Sequence, residues 1–93
     1  MQPVLNIDRN DDRWWYVGND LHREDGPAVE FKTGSNFWYI DDKPHRTDGP
    51  AIMLYNGHNE WWLDGLRFTL DEWLEQTPGL TNEEKVMYKL AHG

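Results

Sequence analysis

Cysteine is absent from the 93-residue chain. That excludes a disulfide framework and any metal site built on thiolates. Basic residues are scarce: 9 Lys and Arg stand against 17 Asp and Glu, for a net charge of −8. The acidity is spread along the chain, net −5 over residues 1–63 and −3 over residues 64–93. Such a surface repels nucleic-acid phosphates and anionic lipid and suits a partner with a basic face. No apolar run approaches the roughly 18 residues of a membrane span. Met1-Gln2-Pro3-Val4-Leu5-Asn6 offers neither a basic segment nor a long apolar one, so no signal peptide is expected. With no cysteine to oxidise, a cytoplasmic location is the expectation. Also missing are a nucleophile–base pair, a phosphate-cradling glycine loop and an Asp-x-Asp-x-Asp-Gly calcium loop. Asp11-Asp12 and Asp41-Asp42 therefore read as solvated turn charge. No catalytic residue, cofactor or metal is expected, and the chain is read as a non-enzyme.

What the chain does hold is aromatic side chains, 6 Trp, 4 Tyr and 3 Phe, and they are periodic. Trp15-Tyr16-Val17 recurs as Trp38-Tyr39-Ile40 and as Trp61-Trp62-Leu63. His22-Arg23-Glu24-Asp25-Gly26-Pro27-Ala28 recurs as His45-Arg46-Thr47-Asp48-Gly49-Pro50-Ala51. The step is 23 residues, and 10 of 22 positions are identical between residues 15–36 and 38–59. Internal repetition of this kind governs any reading of the fold. Pro3-Val4-Leu5-Asn6-Ile7 aligns with Pro27-Ala28-Val29-Glu30-Phe31 as half a unit, followed by a turn one residue longer than its counterparts. At the other end Phe68 stands where His22 and His45 stood, and the pattern stops.

Gly18-Asn19-Asp20 and Asp41-Asp42-Lys43 are turn signals between an aromatic strand and a short one. Asp25-Gly26-Pro27 and Asp48-Gly49-Pro50 are second turns, in which Gly is expected to supply φ > 0 and Pro a fixed φ. Connections this short make an antiparallel meander. Side-chain alternation puts Trp15, Val17, Trp38, Ile40, Trp61 and Leu63 on one face, and the expected core adds Val29, Phe31, Ile52 and Leu54 to it. Trp14, Tyr16, Phe37, Tyr39 and Trp62 form the other face. For that face residual packing, a partner-binding patch and a homodimer face compete, and exposed contiguous aromatics favour interaction. His22, Arg23, Asp25 and Gly26, with His45, Arg46, Asp48 and Gly49, are read as turn structure. His or Arg would bond the Asp carboxylate or a turn carbonyl, and Asp25 and Asp48 would cap their turns.

After Phe68 the period changes. Thr69-Leu70-Asp71-Glu72 and Thr81-Asn82-Glu83-Glu84 are capping boxes. The first helix stops at Pro78-Gly79. The second carries an apolar stripe of Val86, Met87, Leu90 and Ala91 and ends at Gly93. Two helices over the Trp15/Trp38/Trp61 face would close the array. The expected architecture is α+β and mainly β, one domain over residues 1–93, with a sheet of hairpin repeats at 3–68 and a two-helix cap at 69–93.

The 23-residue period, aromatic strand, glycine-containing turn and following His resemble MORN repeats over residues 14–68. The His-Arg-x-Asp-Gly-Pro-Ala form departs from the usual His-Gly-x-Gly. It is similar to repeats in uncharacterised proteins of tailed bacteriophages and giant viruses. The resemblance implies a rolled or twisted antiparallel sheet used for protein or lipid contact, and the acidity argues against lipid. A phage origin would imply a factor in the host cytoplasm that binds and modulates a host protein. The second functional expectation is an acidic nucleic-acid mimic that blocks a DNA- or RNA-binding host enzyme. A protein partner, no direct nucleic acid, no membrane and a possible homodimer complete the expectations.

Overall fold

The computed structural model describes residues 2–92. Ten short strands precede two helices: β1 (Val4–Ile7), β2 (Arg13–Val17), β3 (Asp20–Leu21), β4 (Val29–Glu30), β5 (Asn36–Phe37), β6 (Tyr39–Ile40), β7 (Lys43–Pro44), β8 (Ile52–Met53), β9 (Asn59–Leu63), β10 (Leu66–Phe68), α1 (Leu70–Gln76) and α2 (Asn82–His92). The chain is mainly β. The antiparallel main sheet runs β1-β2-β4-β5-β8-β9-β10, with β3 paired to β2, and β6 and β7 form a separate two-stranded ladder.

The tryptophans are where strands change partners. Arg13 and Trp14 pair with β4, whereas Tyr16 and Val17 pair with β3. At Trp15 itself the N–H donates to the Ala28 carbonyl and the carbonyl accepts from His22 N–H. Trp38 does the same with Ala51 and His45. The next unit is then tied on through Arg23 N–H to the Tyr39 carbonyl and Arg46 N–H to the Trp62 carbonyl, at 3.1 and 3.2 Å. The hairpin turns take the left-handed backbone their type demands: Asp41-Asp42 at φ 49° and 66°, Asp64-Gly65 at φ 49° and 81°.

Two sequence expectations are corrected here. First, the N-terminal half-unit keeps the 23-residue step. Asp8 N–H reaches the Asp12 carbonyl, as Phe31 reaches Ser35 and Leu54 reaches His58. The turn is not lengthened, because Asp11 adopts φ 64° where the later turns use Gly34 and Gly57. Second, Val29 lies opposite both Trp14 and Phe37, and Ile52 opposite Phe37 and Glu60. Directly opposed residues share a face. Val29, Phe31, Ile52 and Leu54 therefore belong with Trp14 and Phe37, and the Trp15/Trp38 face is floored by Ala28 and Ala51, both fully buried.

Both capping boxes form. Thr69 Oγ1 accepts from Glu72 N–H while Glu72 takes Thr69 N–H, and Thr81 and Glu84 repeat the exchange. α1 ends at Gln76, ahead of Pro78-Gly79. It carries Trp73 and Leu74 onto Trp61, the centre of a buried cluster joined by Leu63, Phe68, Leu70, Leu80 and Tyr88. Full burial of one such side chain contributes about 1.5–3 kcal/mol. The cap covers Trp61 and not the expected Trp15 and Trp38. On α2 it is Tyr88 and His92 that pack on Trp61. Val86, Met87 and Leu90 of the expected stripe are exposed. The stop expected at Gly93 lies outside the described residues.

Candidate functional site

On the first face each arginine is held in a slot. The Arg23 guanidinium lies 3.9 Å from the Trp15 ring centroid, and Arg46 lies at the same distance over Trp38. Nε of each bonds the carboxylate two residues on, Asp25 at 3.2 Å and Asp48 at 2.8 Å. One terminal nitrogen bonds the Pro27 or Pro50 carbonyl at 3.1 Å. Asp25 and Asp48 thus serve the guanidinium, as the expected Arg–Asp bond requires. Gly26 and Gly49 are absent from the left-handed region, contrary to expectation. Their small size has another cause: a Cβ at either position would stand 2.7 Å from the guanidinium carbon.

The histidines reach into the following unit. His22 Nδ1 accepts from Asp41 N–H at 3.1 Å, and His45 Nδ1 from Asp64 N–H at 3.0 Å. The Asp41 and Asp64 carboxylates also lie 3.2 Å from these nitrogens. In the last unit Trp73 occupies the place of the arginine. Its ring centroid is 4.7 Å from that of Trp61, and its N–H donates to the Arg46 carbonyl at 3.1 Å.

The opposite face of the main sheet holds Trp14, Tyr16, Phe37 and Trp62, and Tyr39 stands at the equivalent position of the separate β6–β7 ladder. Trp14 and Phe37 flank Phe31 in edge-to-face contacts, with centroids 5.7 and 5.3 Å apart. Tyr16, Tyr39 and Trp62 recur 23 residues apart, all half-buried. Burial pushes the Tyr39 phenol above its ordinary range, with the Asp42 charge adding to it. α1 and α2 meet the sheet through Trp61, on the other side from Glu60 and Trp62, so the helices leave this aromatic face without a second layer. The molecule is correspondingly thin, 41 × 29 × 19 Å.

A carboxylate replaces an aromatic or aliphatic residue at each end of this face. Asp8 stands where the units have Phe31 and Leu54, and it accepts the Trp14 indole N–H at 3.0 Å. Glu60 stands where they have Trp14 and Phe37, and it accepts the Trp62 indole N–H at 3.0 Å. Desolvation pushes Asp8 up, but bonds from Trp14 and from the Asp12 and Asn10 amides hold it below its ordinary value. Desolvation of Glu60 is likewise outweighed by bonds from Trp62 and His58 and by the charge of Arg67.

Sequence reasoning missed the exposure of Val4, Leu5 and Ile7 on β1 and of Leu66 on β10. The place of Val4–Ile7 in the first, half unit of the array was the signal available for the first three. Among the described residues no group of three His, Asp or Glu side chains is arranged to hold a metal ion, and no helix is long and apolar enough to cross a membrane. Compared with protein-family models, with curated proteins and with solved structures, the chain matches none.

Proposed function

We propose that this chain is a non-enzymatic protein-interaction module whose MORN-like hairpin units display an aromatic face to a protein partner. The carrying observation is the one-sided cap: both helices pack at Trp61, on the side of β9 opposite Trp62, and leave Trp14, Tyr16, Phe37, Tyr39 and Trp62 half-exposed. Half-exposed Tyr and Trp combine large apolar area with a polar tip, the composition of interface cores. The net charge of −8 favours a partner with a basic rim around its apolar contact. On the resemblance to phage repeats, that partner is a host protein. Nucleic-acid mimicry is less well supported. It requires continuous negative charge near phosphate spacing. Here Arg13 and Arg23 meet Glu30, Arg46 meets Asp48, Arg67 meets Glu60 and Lys89 meets Asp71.

The test is the double variant Tyr39→Ser/Trp62→Ser, compared with wild type by quantitative co-purification from host lysate and by thermal melting. The variant is expected to keep a cooperative melt and to lose a protein that the wild type retains at micromolar concentration. A variant that no longer folds, or one that recovers the same proteins, would sink the reading.

A further inference from the structure

The 23-residue step assigns every position of β1 an interior counterpart. Asn6 lies opposite Trp14 as Val29 lies opposite Phe37, so Leu5 corresponds to Ala28 and Ile7 to Glu30. The interior strands are paired on both edges, β4 with β2 and β5, β8 with β5 and β9. Among the described residues β1 is paired only with β2. At the interior positions the Ala28 carbonyl accepts from Trp15 N–H at 2.8 Å and the Ala51 carbonyl from Trp38 N–H at 2.7 Å. The equivalent carbonyl of Leu5 points out of the sheet. Leu5 is 45% exposed where Ala28 and Ala51 are 0% exposed, and Val4 and Ile7 are open to solvent with it. Edge strands are ordinarily blunted by charge, proline or a bulge. Val4–Ile7 carries none of these.

Resting on the interaction reading above, we infer that the outer edge of β1 accepts an extended strand from a protein partner, of sequence type Arg/Asn-aromatic-Trp, run antiparallel to β1. The continuing sheet defines the occupant. Both interior edges of this type are filled by such a strand, Arg13-Trp14-Trp15 on β4 and Asn36-Phe37-Trp38 on β8. In the bound strand the Trp N–H donates to the Leu5 carbonyl, its ring covers Leu5, and the aromatic before it lies opposite Asn6. A basic residue at the first position lies opposite Ile7, as Arg13 lies opposite Glu30, and faces a turn rich in Asp8, Asp11 and Asp12. The strands of a second copy that carry the full motif are not free to supply it, and its other edge strand, β10, reads Leu66-Arg67-Phe68 with no Trp. In that copy β2, β5 and β9 are each already paired on both edges, and β1 holds no aromatic residue. Main-chain bonds of this kind provide affinity, and side chains at alternate positions provide specificity.

The probe is a fluorescein-labelled peptide copying residues 11–18, Asp-Asp-Arg-Trp-Trp-Tyr-Val-Gly, titrated with the full chain and followed by anisotropy. Saturable binding is expected, with a scrambled peptide inactive. Leu5→Pro removes an outward N–H while leaving the β1–β2 bonds, and it is expected to weaken binding by about tenfold or more. N-methylation of the peptide at its second Trp removes the donor to the Leu5 carbonyl without touching the protein, and it is expected to have the same effect. Three results would overturn the inference: no saturable binding up to about 1 mM, equal binding of the N-methylated peptide, or a wild-type dimer in light scattering that Leu5→Pro dissociates. If the peptide fails while Tyr39→Ser/Trp62→Ser still releases a partner, the edge site falls and the interaction reading stands.

Discussion

At the scale of single residues, the sequence signature His-Arg-x-Asp-Gly-Pro-Ala resolves into divided labour. Arg stacks on Trp, Asp and the Pro carbonyl hold the guanidinium, Gly makes room for it, and His ties the turn of the next unit. A cation over an indole contributes about 0.5–2 kcal/mol, depending on desolvation. Because a Cβ at Gly26 or Gly49 would fall 2.7 Å from the guanidinium carbon, Gly26→Ala and Gly49→Ala must displace the arginine. Each is expected to cost about 1–3 kcal/mol, read from urea midpoints. In an Arg23→Ala background Gly26→Ala is expected to be nearly neutral. Equal cost in both backgrounds would show that the arginine is not what excludes the methyl group. That Gly26 and Gly49 mattered was legible in the sequence. The reason was not, since a glycine before proline suggests backbone conformation first, and only the folded arginine shows the demand for space.

At the scale of elements, turns and helix starts were the most legible parts. Asp41-Asp42 and the two Thr-x-x-Glu boxes act within a few residues of themselves, so local chemistry settles them. Faces were less legible. Alternation assigns faces only within one strand, and the register between strands, which places Val29 opposite Trp14 and Ile52 opposite Phe37, puts Val29, Phe31, Ile52 and Leu54 on the aromatic side. Of the candidate binding residues, register relates Trp14, Tyr16, Phe37 and Trp62 across the main sheet, whereas Tyr39 lies on the separate β6–β7 ladder. The carboxylates that end that side were hidden, because Asp8 and Glu60 are apparent only once the 23-residue step is extended through both ends. They make a pH prediction. Both carboxyls are held below their ordinary values in the folded chain. Their contribution is therefore full above the ordinary carboxylate range and is lost as the pH falls through the lowered values. Melting temperatures measured between about pH 2 and 7 are expected to fall less steeply on the acid side for Asp8→Asn/Glu60→Gln than for wild type. Parallel curves would mean that the two indole bonds add nothing.

At the scale of the molecule, the main sheet has unlike ends. Trp73 seals one end by taking the place of an arginine over the last tryptophan, and β1 leaves the other unpaired. Contacts that join one unit to the next recur at the 23-residue step: Lys32 N–H on Asp12 with Tyr55 N–H on Ser35, and Asp41 N–H on His22 with Asp64 N–H on His45. Length is therefore a quantity the protein can change in whole steps. Duplicating residues 24–46 after Arg46 is expected to add two strands to the main path and lengthen the sheet by about 10 Å, visible in small-angle scattering, with no loss of melting temperature. A shorter or destabilised product would contradict the MORN-like reading. If the extended chain folds, it carries one more Trp–Arg slot and one more aromatic row between the same two ends. The distance from β1 to the helical cap then becomes a ruler graduated in 23-residue marks.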